Sequence, residues 1–270
     1  MILHIPHSSR IIPEDVRHQF VLSDDELDAE LTLMTDCFVD ELFAVPRATT
    51  VRFPISRLVV DVERFADDAQ EPMARVGMGV VYTRTAHGKR LRRELQPHER
   101  EDLIARYYDT HHAALVAAVQ AELDEHGKAL IIDCHSFPSR PLPCDMDQSV
   151  PRPGFCIGTD PFHTPERLVD AAVQQRAKVG TGTEKGLTQR REGAKAAVNR
   201  PYSGALVPAA FYRRDISVMS LMVEVNRSLY MNEPAGTKTS AFDAAKDQAQ
   251  TLLRLTNEFR QHAGPNPRSH

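Results

Sequence analysis

The stretch Ala129–Ser139, ALIIDCHSFPS, constrains this chain more than any other. Ala129, Leu130, Ile131 and Ile132 make an apolar run too short for a buried helix, and Pro138 closes it, so it reads as a buried strand of the parallel type. Asp133, His135 and Ser136 follow at once. In open α/β sheets the ligand crevice lies beyond the carboxyl ends of the strands, which makes His135 a candidate ligand or catalytic residue.

The start of the chain repeats that grammar. MILHIP is a short apolar segment interrupted by His4, and it runs into His7-Ser8-Ser9-Arg10. Two strands that each deliver a His-Ser pair to one sheet edge would bring His7 and His135 within reach of one ion. Gly127 ends a long helical pattern over Pro97–Gly127, with Leu103, Tyr107, His111, Leu115 and Val119 four residues apart, and the 129 strand follows. On that apolar stripe His111 reads as a core histidine. The alternation of strand and helix predicts an α/β fold, a mixed, largely parallel sheet covered by helices in three layers.

Other segments fill in the pattern. Ser23 with Asp24, Asp25 and Glu26 caps a helix predicted over Asp24–Phe43, on which Asp36 and Asp40 share a face. Arg47–Ile55 and Leu58–Val62 read as strands, and Gly79–Thr85 as a strand or an extended lid. The basic run His87–Arg93 is a candidate to draw in an anionic substrate. Gly154–Ile157 and Ile216–Val225 read as strands, Pro165–Lys178 and Thr239–Gln261 as helices, Ser139–Pro153 as a loop, and Asn199–Gly204 as a tight shaped loop. No linker interrupts residues 1–263, which read as one domain, and 264–270 as a frayed tail.

Composition narrows the function. With 33 basic against 37 acidic residues the net charge is −4, so no broad basic surface is available for nucleic acid. No run reaches the length of a membrane span and no leader is evident, so the expected compartment is the cytoplasm and no membrane partner is expected. Cys37, Cys134, Cys144 and Cys156 show no CxxC pairing and read as reduced thiols, Cys134 being a weak candidate nucleophile. Thr181–Gly193 is Gly-rich but has no phosphate-loop spacing, which removes support from nucleotide cofactors.

Strand ends thus present His7, Arg57, Arg64, His135 and Glu224, the last at the end of the apolar ISVMSLMVEV. Two neutral imidazoles with one carboxylate are the ligand set of a catalytic zinc with an open position. A carboxylate in so apolar a run suits a general base, and its bland alternative is a salt bridge to Arg227. Arg57 is the candidate oxyanion stabiliser and Arg64 the candidate holder of a substrate carboxylate. The reaction class is metal-assisted hydrolysis of an amide in an anionic substrate.

Several ordered motifs then carry a resemblance: IPHSSR, TDCFVDELF at Thr35–Phe43, SRLVVDVERF at Ser56–Phe65, IDCHSFPS at Ile132–Ser139, NRPYSG at Asn199–Gly204 and EVNRSLYMNE at Glu224–Glu233. In these the chain resembles the N-formylglutamate amidohydrolases. The resemblance implies a fold like that of the zinc carboxypeptidases and aspartoacylases, and hydrolysis of N-formyl-L-glutamate to formate and glutamate in histidine degradation. It implies His7 and His135 as metal ligands and Glu224 as base. Arg10 stands where a HxxE site has its Glu, so Asp36 is the expected third ligand. Arg64, Asn199, Tyr202 and Arg227 are the expected substrate contacts. Two departures stand out, Glu63 in place of an Asn in a DxNR motif and Ala205 in place of a Gly. They leave open a deacylase or carboxypeptidase-like hydrolase of another N-acyl amino acid, and a non-catalytic metal- or carboxylate-binding module remains the rival from another class.

Overall fold

Six strands, β1 (Ile2–Ile5), β2 (Thr49–Arg52), β3 (Ala129–Phe137), β4 (Phe155–Gly158), β5 (Ala196–Val198) and β6 (Val218–Asn226), form one sheet in the order β2-β1-β3-β6-β4-β5. The computed structural model describes residues 1–179 and 196–262. Strands β2, β1, β3 and β6 run parallel, β4 runs antiparallel to β6, and β5 runs parallel to β4. The sheet is therefore mixed and mostly parallel, and its parallel part, covered by helices, is what the alternating pattern predicts. A two-stranded hairpin, β7 (Met231–Asn232) and β8 (Thr237–Lys238), stands apart from it.

Helices cover both faces because each central strand is apolar on both sides. On one face Ile2, Ala129, Ile131 and Val218 pack with Leu115 and Val119 of the long helix Thr110–His126. On the other, Leu3, Ile5, Leu130, Ile132, Leu221 and Val223 share a cluster with three helices: Val39 and Leu42 of Val39–Leu42, Leu168 and Ala172 of Glu166–Val179, and Leu252 and Leu253 of Phe242–His262. We number the helices α1 (Glu14–Arg17), α2 (Asp24–Met34), α3 (Val39–Leu42), α4 (Pro97–Leu103), α5 (Thr110–His126), α6 (Glu166–Val179) and α7 (Phe242–His262). No described helix is long and apolar enough to cross a membrane.

Several local expectations are corrected. The helix predicted over Asp24–Phe43 is two helices, α2 and α3, separated by a corner in which Phe38 takes a left-handed φ of 64°. The Asp36 N–H donates to the carbonyl of His7 at 2.9 Å rather than continuing the helical ladder. Asp36 is consequently buried while Asp40 pairs with Arg52 at 3.1 Å, so the two do not share a face. Leu58–Val62 is not a strand. Its apolar side chains lack the period-2 alternation of a half-buried strand and instead thread through a separate cluster with Leu27, Leu31 and Phe53.

Gly79–Thr85 likewise joins no strand of the sheet. The basic run is not a substrate patch: Arg92 is buried under Phe20, with its guanidinium on the carbonyls of Leu58 and Val59, and Arg93 pairs with Glu99. The helix over Pro97–Gly127 exists as α4 and α5 joined by a π-helical turn at Ile104–Asp109. Gly127 ends α5 at a φ of 67°, the left-handed conformation glycine adopts without a Cβ penalty. Strand β3 runs on through Phe137, beyond its apolar residues, because β6 pairs with it over its whole length. Thr181–Gly193 and the 264–270 tail lie outside the described residues.

Candidate active site

Register brings the first two chemical groups together. In the β3–β6 ladder His135 stands opposite Glu224, and β1, the neighbour of β3, delivers His7 just past its end. The rings of His7 and His135 are 5.2 Å apart between centroids and tilted by 50°. Both are buried, at 2% and 3% exposure, so neither is there for solvation.

Each imidazole is held from behind by a buried acid. The His7 Nε2–H donates to Asp61 Oδ1 at 2.8 Å, and His135 Nε2 lies 3.0 Å from Asp133 Oδ1. A histidine that gives its Nε2 proton to a carboxylate keeps its Nδ1 lone pair for an electrophile. Among the described residues the Nδ1 of His7 is buried with no hydrogen-bond partner. Both Nδ1 atoms face one oxygen of Asp36: its Oδ2 lies 3.1 Å from that of His135 and 3.8 Å from that of His7. The other oxygen, Oδ1, accepts from Arg227 Nη2 at 3.0 Å.

Glu63 approaches the same rings from another side. Its Oε1 is 3.2 Å from His135 Nε2 and its Oε2 is 3.7 Å from His7 Nδ1. Among the described residues, ligand atoms of His7, Glu63 and His135 lie within 4.8 Å of one another, as do those of His4, Glu63 and Asp133. Two carboxylates, Asp36 and Glu63, therefore flank the imidazole pair. Asp36 hydrogen-bonds the Nδ1 of His135, whereas Glu63 spans the Nε2 of His135 and the unpartnered Nδ1 of His7.

The charges explain one another. Burial opposes ionisation of Asp36, but the hydrogen bond with His135, the nearby His7 ring and the charge of Arg227 outweigh it and hold its carboxyl below the usual range. Burial likewise opposes charge on Asp61, yet Arg57, His7 and Arg64 keep it ionised. Burial and Arg57 disfavour a charged His7, but Asp61 and Asp36 prevail and raise its pKa; for His135, Glu63 and Asp133 do the same against burial. The guanidinium charge of Arg227 acts on Asp36 and Glu224 and those of Arg57 and Arg64 on Asp61, whereas Asp133 is offset by His135 and His4. If the imidazoles are neutral, as metal ligands must be, such a set lacks positive charge that a divalent cation would supply.

Glu224 differs from the others. Its Oε2 is buried with no hydrogen-bond partner among the described residues. Burial above all pushes its pKa up to about 8, with Asp36 and Glu63 adding to the rise and His135 opposing it. Arg227 does not form the salt bridge to Glu224 weighed from the sequence. Its guanidinium is occupied by Asp36, the Leu33 carbonyl and Ser136, so it holds the site together rather than lying open to a substrate.

Arg57 and Arg64 meet at Asp61, not on the surface. Arg57 Nη2 donates to Asp61 Oδ2 at 2.7 Å, Tyr82 donates to the same oxygen at 2.6 Å, and Arg64 Nε is 3.4 Å from it. Tyr202 lies close enough to Glu224 to feel its charge, but its hydroxyl is engaged by Asp145 and Arg152 at 3.1 and 3.3 Å. Asn199 is exposed, and its amide exchanges two hydrogen bonds with Thr159, so the structure does not bring it to the imidazoles. Cys134 is fully buried and burial pushes its thiol well up, which leaves it inert as a nucleophile.

Sequence reading passed over Glu63 as a carboxylate facing the imidazoles, and over Asp61 and His4 as their supports. The available signal was an acid or imidazole inside an apolar run, as in LHI and VVDVE. A cleft of about 850 Å3 lined by Met1, Arg47, Glu122 and Arg260 lies at the amino end of β1 and contains none of these residues.

A protein-family model described as N-formylglutamate amidohydrolase matches residues 1–231. Among solved structures, the chain is similar to an N-formylglutamate amidohydrolase from Ralstonia eutropha JMP134, with a TM-score of 0.78 and 25% identity over 97% of this chain and 94% of that one. A gene product from Agrobacterium tumefaciens shares the fold, with a TM-score of 0.62 and 18% identity over 96% and 90% of the two chains. No curated protein matches significantly. Paired imidazoles backed by buried acids, the mixed sheet that presents them and a match spanning most of the sequence converge, and the chain belongs to the N-formylglutamate amidohydrolase family.

Proposed function

We propose that this enzyme hydrolyses the amide bond of N-formyl-L-glutamate, or of a similar N-acyl acidic amino acid, to the free acid and the amino acid. His7 and His135 would hold a divalent metal ion, zinc being the best match to this donor set, with Asp36 as third ligand and Glu63 within reach of the same position. The orphaned Nδ1 of His7 carries this reading, because a buried lone pair facing an ionised carboxylate calls for a cation between them. When bound, such an ion supplies Lewis acidity: it polarises the acyl carbonyl and makes water easier to deprotonate.

The remaining work falls to the side chains. Glu224 takes a proton from the attacking water as its oxygen adds to the acyl carbon, and returns it to the amide nitrogen as the C–N bond breaks. A nearby divalent charge also favours the ionised form that this role requires. Arg57, fixed by Asp61 and Tyr82, stabilises the developing oxyanion, and Arg64 binds a substrate carboxylate. Tyr202 and Asn199 would act only if their present partners were exchanged for substrate.

Release of formate from N-formyl-L-glutamate by the purified protein tests this directly. Activity abolished by a chelator and restored by zinc is the expected result. Absence of formate release, or release indifferent to chelation, overturns the reading. Metal content separates the third-ligand candidates: Asp36→Asn should lose the ion, whereas Glu63→Gln should retain most of it.

A further inference from the structure

The support behind His135 does not end at Asp133. The same oxygen, Asp133 Oδ1, accepts the Nδ1–H of His4 at 2.8 Å, and His4 Nε2 meets His111 Nε2 at 2.8 Å. His4 and His111 are buried, at 0% and 5% exposure. Four side chains from three elements, α5, β1 and β3, thus make one line of close polar contacts, hydrogen-bonded from His111 through His4 to Asp133, whose Oδ1 lies 3.0 Å from Nε2 of a metal-ligand candidate, His135.

The proton order follows from the donors available. A carboxylate oxygen only accepts, so His4 presents its Nδ1–H to Asp133, and His135 presents its Nε2–H between Asp133 Oδ1 at 3.0 Å and Glu63 Oε1 at 3.2 Å. The Nε2–Nε2 contact needs one proton between the rings. Burial lowers the His111 pKa to about 3, with the neighbouring charge of His4 adding to it, so His111 is neutral and free to serve as donor or acceptor there. In either case the His4 ring is held at both nitrogens and cannot turn away from Asp133.

The element that carries His111 is shaped for this contact. His111 sits one residue into α5, directly after the π-helical turn Ile104–Asp109, with Phe53 packed edge-on against its ring at 5.2 Å. Such turns are uncommon and concentrate at functional sites. The adjacent His112 donates to the Val62 carbonyl at 2.8 Å, in the segment that carries Asp61 and Glu63. One helix end therefore reaches both halves of the site.

We infer that His111 is a positioning residue: through His4 and Asp133 it fixes the tautomer and orientation of His135, and so the affinity of the site for its metal. The inference rests on the metal-site reading above and extends it beyond the acids that touch the ligands. It contrasts with the bland reading of His111 as a core histidine, which predicts loss of stability only.

The test compares His111→Gln, whose amide nitrogen reaches the place of the ring Nε2, with His111→Asn, whose amide falls short. Both remove the same ring from Phe53, so packing loss is shared. Zinc affinity is measured by chelator competition, and solvent exchange of the His135 Nε2–H by NMR in zinc-loaded and metal-free protein. The expected result is a fall in zinc affinity of about 10-fold or more and faster exchange for His111→Asn, with His111→Gln near wild type. Equal affinity and equal exchange in the two variants overturn the inference. Should His111→Asn fail to fold, His111→Phe, which keeps the ring volume, takes its place with the same expectations. If the wild type binds no zinc, the metal-site reading fails on its own, and proton exchange in the metal-free protein still decides whether His111 holds His135.

Discussion

Glu224 is the residue on which the proposed chemistry can be tested most sharply. Glu224→Gln keeps the volume and removes the proton acceptor, so turnover should fall by about 10²-fold or more while zinc content, read by elemental analysis, stays at the wild-type level. The same carboxyl makes a second, independent prediction in the metal-free protein. Folding raises its pKa from 4.5 to about 8, so the folded chain binds this proton more tightly than the unfolded one. The associated stability is complete below pH 4.5 and is lost as the pH climbs through about 8. Melting temperatures of metal-free Glu224→Gln and wild type should therefore diverge between pH 5 and 9, the variant becoming the more stable; parallel curves would contradict a buried, proton-binding Glu224. At this scale His7, His135 and Glu224 were legible because polar groups ended apolar runs. The contacts of Asp61, Glu63 and Asp133 were not, since the imidazoles that meet them, His7, His135 and His4, come from distant segments. Arg227 misled for the same reason: its neighbour in sequence is Glu224, but its neighbour in space is Asp36.

Among the elements, the antiparallel strand β4 pairs with β6 and sets Cys156 opposite Glu224. It ends at Gly158, where an added Cβ would lie 2.3 Å from the Gly204 carbonyl oxygen and 2.3 Å from Met222 Cε. The methionine can move, but the backbone of the loop carrying Tyr202 cannot do so without displacing it. Gly158→Ala should cost about 1–3 kcal/mol, visible as a drop of several degrees in melting temperature, and an unchanged melting curve would show that the loop yields freely. The helices and the central strands were readable from caps and apolar runs, Ser23 and Gly127 being two such marks. Where reading failed, tertiary structure overrode pattern. The α2–α3 break follows from the hydrogen bond of Asp36 to His7, and the segment 58–62 is apolar because it is threaded through a core, not because it is paired in the sheet.

For the molecule as a whole, a cation bound at the proposed site would be linked to folding by mass action. An ion that binds only the native chain stabilises it by about 2.7 kcal/mol at a free concentration 100 times its dissociation constant. Calorimetry should show a melting temperature that rises with zinc and falls with chelator, while an unresponsive transition would argue against an ion at this position. The fold class was legible because alternating strand and helix patterns leave few ways to bury both faces of a parallel sheet, although the antiparallel placement of β4 carried no signature in its own four residues. The pairing of His135 with Glu224 has a last consequence. They are neighbours only because two nine-residue strands, far apart in the chain, are matched residue for residue. A shift of one position would turn Glu224 to the opposite side of the sheet. Partly folded molecules, however helical, should therefore be blind to zinc, and ion capture during refolding should mark the moment at which the two central strands find their correct alignment.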